Sequence, residues 1–78
     1  MNNFWRRSMM PLIFATPGQE VKVAHVGGEA DVKKHLIDLG FNVGSPVTVI
    51  QKIDTGIIVK VKDARIAIDR SMASKIMV

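Results

Sequence analysis

The chain has 78 residues, a formal net charge of +4 and no cysteine. A length like that supports one small core, and nearly every apolar residue is needed for it, which argues against an enclosed catalytic pocket and favours a binding role. A composition of 47% hydrophobic and 23% charged residues excludes a disordered body, while the missing thiols exclude disulfides, thiolate zinc sites, iron-sulfur ligation and cysteine nucleophiles, leaving the cytoplasm as the default compartment.

At the amino end, Arg6 and Arg7 precede an apolar stretch from Met9 to Ala15. The outline is that of a secretory signal, but the stretch is at the short limit, no small-x-small cleavage pattern follows, and Thr16-Pro17-Gly18 leads directly into a strand. Residues 1–10 are therefore expected to form a flexible tail that folding can do without, and residues 11–78 the domain. Phe4 and Trp5 beside Arg6 and Arg7 would suit an anionic membrane surface or a partner. Nowhere does the chain offer the roughly 20 apolar residues of a membrane-spanning helix. Arg6 and Arg7 carry half of the charge surplus, and the remaining lysines are spread out, as on an ordinary solvated surface rather than a nucleic-acid stripe.

From Gln19 to Val26, Val21 and Val23 alternate with Glu20 and Lys22, which predicts a half-buried strand after the Pro17-Gly18 turn. Gly27-Gly28 ends it. Val32, Leu36 and Leu39 then recur at helical spacing, predicting a helix over 29–39 whose amino end suits Glu29 and Asp31 and whose carboxyl end Gly40 can close in the left-handed conformation. Phe41 is expected to fold back on that stripe. Gly44-Ser45-Pro46 makes a turn into a second strand, Val47 to Ile53, and Asp54-Thr55-Gly56 signals a hairpin. In the third strand, Ile57, Val59 and Val61 point one way and Ile58, Lys60 and Lys62 the other. A turn at Asp63-Ala64, a strand over 65–69, one helical turn over 70–75 and a last strand over 76–78 complete the chain. The expected fold is mainly β: a small, partly open five-stranded barrel, with one short helix between strands one and two and a helical turn before the last strand, which pairs with the first. Its inward face would hold Val21, Val23, Val47, Val49, Val59, Val61, Ile66, Ile68, Ile76 and Val78, capped by Leu36, Leu39 and Phe41.

Two stretches carry more than periodicity. Leu36-Ile37-Asp38-Leu39-Gly40-Phe41-Asn42-Val43-Gly44, running on to Val47 and Val49, resembles the leucine, leucine-glycine, glycine, valine-x-valine signature of the FeoA family. Arg65-Ile66-Ala67-Ile68-Asp69, followed by Ala73, Ile76 and Val78, is similar to that family's isoleucine-alanine-leucine strand and its sequel. The resemblance spans residues 11–78. It implies an SH3-like barrel acting as an accessory to bacterial ferrous-iron uptake, with the cytoplasmic GTP-binding domain of the FeoB membrane transporter as partner and with transition-metal binding often proposed. The implied location is cytoplasmic or peripheral at the inner face of the plasma membrane, with membrane contact only through the transporter. One departure is the Asp63-Ala64 turn, where the family often has glycine; alanine is disfavoured at positive φ.

The chain has no Gly-x-x-x-x-Gly-Lys loop, and acids follow Gly27-Gly28, so GTP hydrolysis by this chain is excluded. None of Ser8, Ser45, Ser71 and Ser74 has an adjacent base, and no enzyme is expected. No cofactor is required. For ferrous iron the clustered candidate ligands are His25, Glu29, Asp31 and His35, with Asp31 and His35 on one helix face at i and i+4. A surface Asp-His contact is the plainer reading of that pair. Met9, Met10, Met72 and Met77 suit cuprous ions better, and core filling explains them more simply.

For a partner, Ile37 lies off the buried stripe next to Lys33 and Lys34, an apolar residue rimmed by positive charge that would meet an acidic surface; Ile58 is a second such position. A nucleic-acid-binding barrel is the rival reading, but among Phe4, Trp5, Phe14 and Phe41 only Phe41 falls in the barrel, and the same lack of aromatics disfavours proline-rich peptide binding. A regulatory barrel like that of metal-dependent repressors is a third reading; with no helix-turn-helix beside it, such a chain would act on another protein in trans.

Overall fold

The computed structural model describes residues 10–78; Phe4, Trp5, Arg6, Arg7 and Met9 lie outside the described residues. The elements are a 3₁₀ turn (Leu12–Phe14), β1 (Glu20–Lys22), β2 (His25–Val26), α1 (Ala30–Leu39), β3 (Pro46–Ile53), β4 (Gly56–Val61), β5 (Ala64–Asp69), α2 (Arg70–Ala73) and β6 (Ile76–Met77). A four-stranded sheet in the order β1-β3-β4-β5 is joined by a two-stranded one, β2-β6, with antiparallel pairing throughout. This is the partly open, mainly β barrel that the alternation predicts.

The first predicted strand is divided, because the chain changes partner within it. β1 pairs with β3, the Val23 N–H donates to the Ser45 carbonyl at 3.0 Å, and one residue later the Ala24 N–H donates to the Met77 carbonyl at 2.7 Å. β2 then pairs with β6, His25 opposite Met77 and Val26 opposite Ile76, so the carboxyl-terminal strand does close onto the first segment. On its other side β6 meets the amino end: Pro11 bridges to Met77, and Met10 and Val78 exchange both backbone hydrogen bonds, at 3.0 and 2.8 Å.

Leu36, Phe41, Val47, Val49, Ile57, Val59 and Ile76 are fully buried, and Val23, Val61 and Ile68 nearly so. Burying a branched aliphatic side chain contributes about 1.5–3 kcal/mol, and this set makes the core. Val21, Ile66 and Val78, expected inside, are half-buried at its margin. Two core residues that periodicity does not indicate, Leu12 and Ala15, are fully buried from either side of the 3₁₀ turn. A β-bulge between Val49 and Gln51 offsets the β3–β4 register, so strict alternation in β3 ends at Ile50.

α1 starts one residue after the predicted position, with Glu29 in the N-cap place but making no side-chain cap bond. Its end follows from Gly40 at φ 117°: the Gly40 N–H donates to the Ile37 carbonyl at 3.0 Å and the Phe41 N–H to the Leu36 carbonyl at 3.1 Å, the paired bonds of a Schellman motif. Phe41 is thereby returned to the core beside Leu36. The second helical segment is shorter than predicted, and Asp69 caps it by accepting the Met72 N–H at 2.7 Å. The hairpin turn expected at Asp63-Ala64 lies one residue earlier. Lys62 and Asp63 adopt φ of 52° and 64° between the paired residues Val61 and Ala64, so the left-handed pair excludes Ala64.

Candidate functional site

Where the chain leaves α1 it builds one wall of a groove. The Ser45 N–H donates to the Asn42 carbonyl at 2.8 Å, with Gly44 at φ 89° in the third turn position, which puts Val43 at an outer corner. The Gly44 N–H donates to the Val23 carbonyl at 2.7 Å and ties this turn to the β1–β2 segment. Between the turn, β2 and α1 lies an open groove of about 240 Å³, lined by Ala24, His25, Val26, Lys33, Ile37, Phe41, Asn42 and Val43. Ile37 and Val43, 39% and 72% exposed, are its accessible apolar residues. The lining includes one lysine and one histidine and no carboxylate.

The structure thus brings together two of the four residues predicted for a partner surface. Ile37 and Lys33 line the groove; Lys34 instead pairs with Asp38 at 3.1 Å, both so exposed that the pair contributes little to stability. Ile58 is half-buried on the outer side of β4, opposite Ala67, and does not line the groove. Val43 was not indicated by the sequence pattern. The signal available was its place between Asn42 and Gly44, since an apolar residue at a turn corner cannot reach the core.

The four candidate metal ligands are all exposed. His25 sits on β2 and lines the groove, Glu29 precedes α1, and the Asp31 Oδ1 accepts the N–H of the next residue, Val32, at 2.9 Å. His35 lies within α1. Among the described residues no group of three or more His, Asp or Glu side chains is placed to hold a metal ion. Met10 and Met72 are half-buried against the core.

A second open cleft, of about 440 Å³, lies at the β3–β4 hairpin, lined by Ile13, Phe14, Lys52, Ile53, Gly56, Ile57 and Arg70. Phe14 is 68% exposed.

With this geometry in place, the FeoA domain matches residues 10–78 of the chain. The chain belongs to the FeoA family. A Methanocaldococcus jannaschii protein with the provisional name Fe(2+) transport protein A is 39% identical over 70 residues, covering 90% of this chain and 85% of the relative. The crystal structure of an iron uptake regulatory protein, FeoA, superposes with a TM-score of 0.81 at 27% identity, covering 88% of this chain and 93% of the other. Stenotrophomonas maltophilia FeoA, crystallised with zinc and described as a procaryotic SH3 domain protein, superposes with a TM-score of 0.75 at 23% identity over 86% of each chain. The barrel is SH3-like, and the family places the chain among the accessory proteins of ferrous iron transport.

Proposed function

We propose that this FeoA-family protein regulates ferrous iron transport by docking through the α1 groove onto the cytoplasmic GTP-binding domain of a FeoB-type transporter. It works in the cytoplasm, at the inner face of the plasma membrane where the transporter sits. The observation that supports this is the pairing of exposed Ile37 and Val43 around a groove whose lining offers Lys33 and His25 and no acid. An apolar anchor flanked by acidic side chains is the complementary surface, with the apolar residues supplying affinity and the charge supplying register. Among the described residues no helix is long and apolar enough to cross a membrane.

The test is titration calorimetry of the purified chain against the transporter's cytoplasmic domain, with and without GTP. Ile37→Asp and Val43→Asp each change an exposed residue and are expected to weaken binding about tenfold or more while leaving the fold intact. Unchanged affinity in both variants overturns the groove as the contact.

Ferrous iron is the cargo of the system, and this chain's own contribution to holding it is slight. Transition-metal binding by His25, Glu29, Asp31 and His35 is weak, because each would supply a ligand without the others converging on it. Anaerobic ferrous titration of His25→Ala plus His35→Ala is expected to match the parent protein; a large loss would restore a histidine-based metal site.

A further inference from the structure

We propose that the second cleft, with Phe14 at its mouth, seats this protein directly on an anionic phospholipid surface. Phe14 is presented outward by its neighbours. Leu12 and Ala15 are fully buried, and the turn between them is closed by the Phe14 N–H to the Pro11 carbonyl at 3.0 Å and the Ala15 N–H to the Leu12 carbonyl at 2.9 Å. The core thus holds the turn while the ring between those anchors stays 68% exposed. Half-buried Ile13 and Ile53 extend the apolar floor, and Lys52 and Arg70 supply two cations with no carboxylate in the lining. Asp69, the nearest acid in sequence to Arg70, directs its Oδ1 to the Met72 N–H as the cap of α2.

An exposed aromatic ring that shares a cleft with two basic side chains matches the boundary of an anionic bilayer, where the ring enters the headgroup region and the cations meet phosphates. A bilayer fits better than an acidic peptide, because the one aromatic ring of the cleft is itself the exposed element, 68% accessible, as a side chain that enters a headgroup region must be. The sequence also repeats this chemistry upstream, with Phe4, Trp5, Arg6 and Arg7 seven to ten residues before Phe14. This site goes beyond the transporter reading, since it requires only lipid, and it adds a direct membrane contact to the indirect one expected from the family.

Flotation of the full chain with vesicles of phosphatidylcholine, with or without phosphatidylglycerol, tests it. Binding is expected only with phosphatidylglycerol and is expected to weaken as salt is raised. Each cation near such a surface strengthens binding about fivefold, so Lys52→Glu plus Arg70→Glu should weaken it more than about tenfold. Phe14→Ala should weaken it several-fold. Lys52 and Arg70 are exposed and their side chains bond no other described residue, so the charge variant should keep the parent melting temperature. Ile37→Asp, in the other groove, should float like the parent. Equal binding to both vesicle types, or parental binding by the Lys52→Glu plus Arg70→Glu variant, overturns the proposal. So does saturable binding of a soluble glutamate- and phenylalanine-rich peptide by a chain that neither vesicle takes up, which would assign the cleft to a protein partner.

Discussion

β4 is entered and left through two-residue connections that meet opposite demands. At its start Ile53 faces Gly56 across Asp54-Thr55, and at its end Val61 faces Ala64 across Lys62-Asp63. The first connection is limited by space, since a Cβ on Gly56 would overlap the Ile68 carbonyl oxygen and come within 2.8 Å of the Asp69 Cα. The second is limited by backbone conformation, with two non-glycine residues held at positive φ. Glycine therefore stands where packing excludes a side chain and is missing where its conformational freedom would help. The two proposed docking surfaces divide the same way. The crowded hairpin forms the floor of the cationic cleft, whereas the strained one leans Lys62 toward Gly40, whose left-handed conformation sets the direction of the Phe41–Val43 wall.

Gly56→Ala attacks the crowded hairpin at its limit. The atoms in the way are backbone, not the flexible end of a side chain, so β5 must move away from β4. Overpacking of this kind costs about 3 kcal/mol, a fall in Tm of about 15 °C in a domain this small, measured by thermal unfolding. A fall of only a degree or two would show that the two strands separate easily and that space is not what glycine provides there.

A smaller change separates the packing of that hairpin from the cap that follows it. Asp69 is opposite Gly56 in the β4–β5 ladder and also caps α2. Asp69→Ala removes the acceptor of the Met72 N–H and should cost about 1 kcal/mol, whereas Asp69→Asn should keep most of the stability. Equal losses in both variants would mean that the charge, and not the cap bond, matters.

What the sequence made legible in these regions was local. The stripe Val32, Leu36, Leu39 with Gly40 after it needs only one helix and its cap, and Ile57, Val59 and Val61 need only one strand; both are as expected. The split between β1 and β2 was hidden, because Val21 and Val23 alternate in the same way whether the next residue bonds to Ser45 or to Met77. Leu12 and Ala15 were hidden because a 3₁₀ turn of three residues has no period to read. Ile37 and Lys33 could be placed on the candidate site from helical spacing alone. Phe14, Lys52 and Arg70 could not, since only the folded chain brings the 3₁₀ turn, the end of β3 and the start of α2 around one cleft.

The turn that leaves β4 allows the smallest change, one that alters backbone conformation without disturbing packing. A two-residue turn with both residues at positive φ favours glycine in its second place, which Asp63 occupies at φ 64°. Asp63 is exposed, so its replacement removes no core contact. Asp63→Gly should relieve the left-handed strain but gain freedom in the unfolded chain, for a net stabilisation of about 0.5 kcal/mol and a Tm increase of about 3 °C. Asp63→Ala, which adds unfolded-state freedom to a far lesser degree and fits positive φ poorly, should move stability the opposite way. If alanine and glycine have the same effect, the turn is not limited by its backbone, and the contrast between the two ends of β4 reduces to the crowding at Gly56.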